Sequence, residues 1–387
     1  MKDKVLILAS VASMIDQFNR PNINILLSLG YEVHVACNFE KGSTCTDEKI
    51  KQLKAELKEL EVKYFQIDFT RSVFNIFQDI KSYKQVKNLM IKNKYKFIHC
   101  HSPIGGVIGR LSCKTTKTKC IYTAHGFHFY KGAPLKNWLI FYPIEKLLSK
   151  YTDILITINK EDYNRAKDKF KMKKLEYVPG VGIDENKFQL KCFDREKYRS
   201  NLGFTKNDFI ICSVGELNKN KNHDVIIKAL SKIEKPNIKY IIVGIGSLEE
   251  YLIELSKKLG ISKNVFLLGY RKDVPEILNS SDLFIFPSKR EGLPVSVMEA
   301  IMSDVVCAVS KIRGNVDLIN DGINGYVFKY HDLNRIEEVI NKVINMTKEN
   351  KNKLVKNNDA LKNEISLNQV SKKYKSIYEL INKENIN

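Results

Sequence analysis

A chain of 387 residues, 43% hydrophobic and 28% charged, is too long for one small core and suits two globular domains. The longest apolar run, "WLIFYPI", falls far short of the roughly 20 residues that span a bilayer, and the N-terminus shows no cleavable signal pattern, which argues against a membrane-spanning helix and a secreted product. The net charge of +20 reflects either a Lys-rich composition or an anionic partner, and eight cysteines without a C-x-x-C pair read as buried thiols of a reducing cytoplasm rather than disulfides.

Apolar runs in the first half predict strands at 4–10, 31–37, 62–67, 97–101, 119–124, 153–158 and 175–178. Helical patterns lie between them; "DQFNRPNINILLSLG" predicts one helix closing on Gly30. Residues 80–144 then hold twelve Lys/Arg and no Asp or Glu, a stretch suited to an anionic surface, membrane lipid ahead of nucleic acid. Inside it, "APLKNWLIFYPIEK" sets Trp138, Phe141 and Tyr142 beside Leu135, Leu139 and Ile140. Such a helix either lies in a lipid interface or packs under the first sheet. His99 and His101 share one strand face, with His125 and His128 after the next strand. They could bind zinc, but no carboxylate or Cys pair completes a ligand set, so no metal is expected. His99 reads as packing, and His101 and His125 as lining a cleft.

The stretch "VPGVGIDENKF" at 178–188 breaks this rhythm, and a second series follows: "FIICSVG", "IKYIIVG", "NVFLLG", "DLFIFPS" and "VVCAVS", each before a helical pattern. Two βα series joined by a Gly-rich link predict an α/β chain of two doubly wound, Rossmann-like domains facing a central cleft. The boundaries fall at 1–185 and 186–365, with 366–387 as a terminal helix packing back towards the first domain. "VGIGS" at 243–247 lacks the third glycine of a dinucleotide fingerprint and reads as a tight turn.

Two stretches of the second series carry chemistry. In "GELNKNKN", Gly215 lets a ligand approach the backbone, and Lys219 or Lys221 can reach a phosphate. In "KREGLPVSVMEAI", Pro294 suits the first position of a helix, and the free backbone N–H groups across Gly292, Leu293, Pro294 and Val295 form an anion site. Glu291 and Glu299 would repel a phosphate there, so they read as acceptors for sugar hydroxyls, which fits a nucleotide-sugar. The alternative is a capping acid and a surface Glu.

These stretches resemble the signature of retaining family 4 glycosyltransferases with the GT-B fold. "FLLGYRKDVPEILNSSDLFIFPS" and the Gly-rich link match as well, and "TAHGFHFYKGAPLKNWLIFYPIEK" looks like the branch that builds bacterial exopolysaccharides and capsules. The resemblance implies Lys221 on the diphosphate, Glu291 on the donor sugar, Glu299 on the ribose, and Gly269, Tyr270 and Arg271 near the nucleobase. It implies that His125 faces the reacting sugar, with His101 beside it. One departure is Glu216, where many members have Arg; Lys219 or Arg290 would substitute. The implied reaction moves a sugar, hexose or HexNAc, from a UDP-sugar donor to a polyprenyl-linked glycan acceptor, without cofactor, metal or nucleic acid. The implied place is the cytoplasmic face of the membrane, as a peripheral protein on an anionic surface. A UDP-sugar epimerase of the same fold and a non-catalytic membrane- or nucleic-acid-binding protein are the rival readings.

Overall fold

The computed structural model describes residues 2–41, 45–70, 75–233 and 235–383. The chain divides into two compact units, Met1–Val181 with Asn368–Asn387, and Gly182–Leu367.

The first unit is built on a parallel sheet of β1 (Lys4–Val11), β2 (Glu32–Asn38), β3 (Lys63–Gln66), β4 (Phe97–His101), β5 (Lys119–Ala124), β6 (Ile154–Thr157) and β7 (Lys174–Tyr177). Their order is β3-β2-β1-β4-β5-β6-β7. Alternate residues of β1 enter two different cores: Val5, Ile7 and Ala9 one, Leu6 and Leu8 the other. A strand covered on both faces needs apolar residues at every position, so its sequence is a continuous run rather than an alternation. All seven runs expected in this half are strands of the sheet.

One expected helix is two. Ala12–Phe18 and Arg20–Ser28 are separated at Asn19, whose side-chain amide donates to the Met14 carbonyl at 2.9 Å. Pro21 has no N–H to give the Gln17 carbonyl, and its ring would collide with that group in a continuous helix. Gly30, at φ +85°, ends the second helix, as expected.

The second unit repeats the plan with β8 (Phe209–Val214), β9 (Ile238–Val243), β10 (Val265–Leu267), β11 (Leu283–Phe286), β12 (Val306–Ser310) and β13 (Tyr326–Phe328), in the order β10-β9-β8-β11-β12-β13. β13 was not among the expected strands. At three residues on a sheet edge it is too short to show a period.

The terminal helix Leu367–Leu380 starts at the end of the second unit, yet it belongs to the first. Val370, Tyr374, Ile377 and Tyr378 recur at helical spacing and are buried in the core that holds Ile7, Phe97 and Ile121. The eight cysteines are free thiols, six of them buried. Among the described residues, no helix is long and apolar enough to cross a membrane.

Candidate functional site

Ligands of open parallel sheets bind outside the carboxyl ends of the strands, where the strand order reverses. In the second unit that point lies between β8 and β11, and the two stretches singled out in the sequence are the loops that leave it. Asn218 turns the first loop, its Oδ1 accepting the N–H groups of Asn220 and Lys221, both at 3.0 Å. Asn222, at φ +60°, ties that loop to its neighbours by donating to the carbonyls of Pro287 (3.2 Å) and Tyr330 (2.8 Å). The Lys289 N–H closes the second loop onto the Asn220 carbonyl at 2.8 Å.

The result is a contact across 70 residues of chain: Lys221 Nζ lies 2.8 Å from Glu291 Oε1. The Ser288 hydroxyl donates to the same oxygen at 2.5 Å, and the ammonium sits 4.8 Å from the centre of the Phe286 ring. Both side chains of the ion pair retain some exposure, 20% for Lys221 and 15% for Glu291. A phosphate or a sugar hydroxyl can therefore reach either one.

Glu291 is not a cap. No side chain caps the helix Val295–Met302, and Pro294 is the extended residue before its first turn rather than the first helical one. The N–H groups at that helix start are thus left for a ligand. Glu299, five residues into the helix, is only partly exposed, and burial pushes its carboxyl up to about 7. No hydrogen-bond or ion-pair partner of that carboxyl stands among the described residues.

Arg313 was missed in the sequence. It is buried in the loop after β12, and its Nε donates to the Glu291 carbonyl at 3.1 Å. Only the fold shows this, because the loops after neighbouring strands meet at the same sheet edge. The following Gly314 has φ +77°, and a Cβ there would stand 2.3 Å from the Gly292 carbonyl oxygen. Gly314→Ala should therefore displace the backbone of Gly292 and lower the melting temperature by the combined strain and clash. Thermal melts check this; an unchanged melting temperature would show that the loop absorbs the added methyl.

"VGIGS" is the expected turn between a strand and a helix, and it is also a close approach of backbones. A Cβ on Gly244 would lie 2.0 Å from the Gly215 carbonyl oxygen, and the Gly244 N–H donates to the Gly269 carbonyl at 2.9 Å. The loops after β8, β9 and β10 are thereby stitched side by side. Tyr270 is 65% exposed there, while Arg271 is held by Asp273, its Nε 2.8 Å from Oδ1. Glu216, Lys219 and Arg290 are exposed around the Lys221–Glu291 pair.

In the first unit the order reverses between β1 and β4. His101 ends β4 and His125 follows β5, with His101 Nδ1 3.1 Å from His125 Nε2. His101, expected to touch substrate, is corrected to a supporting position. It is 1% exposed, its ring tilted against that of His99 with centres 4.1 Å apart, and its polar contact is with His125. The last residue of a central strand points into the packing, whereas the loop residue His125 emerges from it. His99 is structural, bonded at 2.8 Å to both the Tyr378 hydroxyl and the Thr123 hydroxyl. Burial lowers His125 to about 4 and His99 to about 3, and it lowers His101 as well, so all three are neutral at pH 7.

The helix Leu135–Leu148 divides the alternatives drawn from its sequence. Trp138, Phe141 and Tyr142 pack against the core under the sheet, the second of the two alternatives for this helix. Leu135, Leu139 and Leu147 instead stand outward, 73%, 69% and 55% exposed.

Comparison with known proteins follows the same division. The family described as "Glycosyl transferase 4-like" matches residues 4–159, and "Glycosyl transferases group 1" matches 194–360. EpsD of Bacillus subtilis is 35% identical over 353 residues, 88% of each chain. An Escherichia coli protein named UDP-Gal:alpha-D-GlcNAc-diphosphoundecaprenol alpha-1,3-galactosyltransferase is 30% identical over 70% of this chain and 72% of its own. CapM of Staphylococcus aureus, a capsular polysaccharide biosynthesis glycosyltransferase, is 27% identical over 75% and 78%. Among solved structures, HepE of Anabaena with UDP and glucose superposes with a TM-score of 0.77 at 17% identity, covering 97% of this chain and 99% of its own. Two parallel α/β units with ligand loops at their switch points, matched by these sequences over most of the chain, make this protein a glycosyltransferase of family 4 with the GT-B fold.

Proposed function

We propose that the protein transfers a hexose or HexNAc from a UDP-sugar to a polyprenyl-diphosphate-linked glycan, with retention of configuration, in the synthesis of a bacterial exopolysaccharide, capsule or related surface glycan. The observation that carries the donor half is the Lys221–Glu291 pair beside an uncapped helix start. One cation and a row of free N–H groups suit a diphosphate, and the two glutamates suit the hydroxyls of two sugars. The relatives' names support the acceptor half, since one acts on a diphosphoundecaprenol-linked sugar.

As the glycosidic bond breaks, negative charge grows on the leaving diphosphate, and the helix-start N–H groups with Lys221 stabilise it there. The leaving phosphate then assists attack on the same face. Neutral His125 orients a sugar hydroxyl rather than carrying a proton in an obligatory step. Glu216 offers the phosphates nothing, so Arg290 or Lys219, both exposed beside the pair, would complete the clamp. The exposed leucines of Leu135–Leu148 and the basic stretch 80–144 would hold the protein on the cytoplasmic face of an anionic membrane.

The test is to incubate purified protein with a panel of UDP- and GDP-sugars, with and without a polyprenyl-diphosphate sugar. Consumption of one UDP-sugar only when acceptor is present, with the α/β configuration kept, is the expected result. Conversion of the nucleotide-sugar without acceptor would overturn it in favour of an isomerase. In vesicle sedimentation, binding should require anionic lipid and weaken with salt.

A further inference from the structure

A groove of about 780 Å³ lies within the first unit, between the helices Ile76–Asn93, Pro103–Thr116 and Leu135–Leu148. Its walls are mostly hydrocarbon, including Ile104, Val107, Ile108, Phe127, Phe129 and Phe141. We propose that this groove holds the first isoprene units of the lipid-linked acceptor, with the diphosphate-sugar end at His125. The proposal rests on the acceptor class assigned above and adds the place where its lipid is held.

Three features of the groove favour an isoprenoid chain. The first is a polar end: Ser102, His125 and His128 gather where β4 and β5 end, while the rest of the wall is mostly hydrocarbon, broken by Asp79, Tyr83, Lys114, Thr115, Tyr122 and Glu145. The second is its rim. Ile80, Leu111 and Ile144 line the groove and are still 47%, 36% and 40% exposed. Around the groove Leu135 and Leu139, four apart, share one side of their helix and Ile144 and Leu147, three apart, share another, and Phe77 at 89% exposure lies beside Ile80. Exposed hydrocarbon covers much of the surface beside the rim. A chain seated inside can thus continue into a bilayer without its hydrocarbon crossing water. The third is charge. Glu145 in the wall is neutralised by Arg110 at 2.8 Å, whose guanidinium lies 4.1 Å above the Tyr122 ring, and burial raises the carboxyl of Asp79. Lys114 lines the groove in the last turn of Pro103–Thr116, the end of that helix away from His125, and Lys136 and Lys146 are exposed on Leu135–Leu148, so cations stand by the exposed rim, a setting that suits an anionic lipid surface. The volume is that of a site for a drug-sized ligand, enough for a few isoprene units and not for a long prenyl chain. The remainder would stay in the membrane.

The protein has a single tryptophan, Trp138, whose ring centre is 5.7 Å from that of Phe129 in the groove wall. Its fluorescence reports occupancy directly. Titration with geranylgeranyl diphosphate, below the concentration at which it forms micelles, should give a saturable change that an equal concentration of inorganic pyrophosphate does not reverse. Val107→Asp places a charge in the groove, and Leu111→Asp does so at its exposed rim if the first variant fails to fold by circular dichroism. Either folded variant should weaken geranylgeranyl diphosphate at least tenfold and raise the KM for the polyprenyl acceptor without raising that for the UDP-sugar. No saturable response, complete reversal by pyrophosphate, or unchanged affinity in a folded variant overturns the groove. If the groove binds prenyl chains but no donor is ever transferred, the functional reading falls and the groove stands. Transfer that is indifferent to both variants has the opposite meaning.

Discussion

Glu299→Gln should weaken UDP and, at the same time, stabilise the unliganded protein. Burial holds the Glu299 carboxyl at about 7 in the fold, against 4.5 for a free glutamate. A carboxyl whose folded pKa is raised binds more protons in the native state, so stability is complete below pH 4.5 and falls as pH rises through 7. At pH 8 the full penalty is present, and the neutral amide of Gln removes it. The gain should be on the order of 2 kcal/mol, allowing for the partial exposure of the side chain. The ribose hydroxyls of UDP would supply the hydrogen bonds that the empty site lacks, and losing a charged acceptor costs roughly 1.5–3 kcal/mol, about ten- to a hundredfold in affinity. Because UDP prefers the ionised form, its affinity should also rise between pH 6 and 8, and the variant should lose that slope. His125 titrates far below this window and does not contribute. Glu291→Gln, by contrast, should leave UDP affinity nearly intact while reducing transfer, since UDP lacks the sugar assigned to Glu291. Thermal melts and calorimetric titrations of both variants across pH decide it. Equal losses of UDP affinity in the two variants would show that the acids act on the nucleotide together.

Lys221→Ala should lower kcat by about a hundredfold, with a much smaller change in KM. The charge that Lys221 meets grows as the diphosphate leaves, so its contribution is largest in the transition state. In the unliganded protein the ammonium is already held by Glu291 and lies against Phe286, which fixes its position before the donor arrives. The same pair makes the two residues interdependent. Lys221→Ala leaves Glu291 with Ser288 alone, and the double variant should lose less than the sum of the single losses. Glu216→Gln is the control: the side chain is exposed beside the loop, and turnover should stay within about twofold, as for most surface changes. A loss confined to KM in Lys221→Ala would place its role in ground-state binding. A larger effect from Glu216→Gln would show that the loop works differently.

The sequence by itself determined every strand of both sheets but β13, because strands covered on two faces must be written as unbroken apolar runs, as in "KVLILAS" and "FIICSVG". It also singled out the two loops that leave the switch point of the second sheet, since a Gly or Pro at a strand end beside Lys and Glu marks a place where backbone and charge can meet a ligand. Periodicity could not resolve the three residues of β13, and the pattern across Asn19 looked continuous although Pro21 breaks it. Tertiary structure alone decided the partnerships. Lys221 meets Glu291 because β8 and β11 are neighbours at a reversal of strand order, and Arg313 reaches Glu291 from the next strand along. His101 and His125 look alike as letters, but one ends a buried strand and the other begins a loop, so of the two only His125 lines the groove. The helix Leu135–Leu148 has apolar residues on every side, and which of them packs and which stands exposed depends on where the core lies, a fact that no local pattern contains.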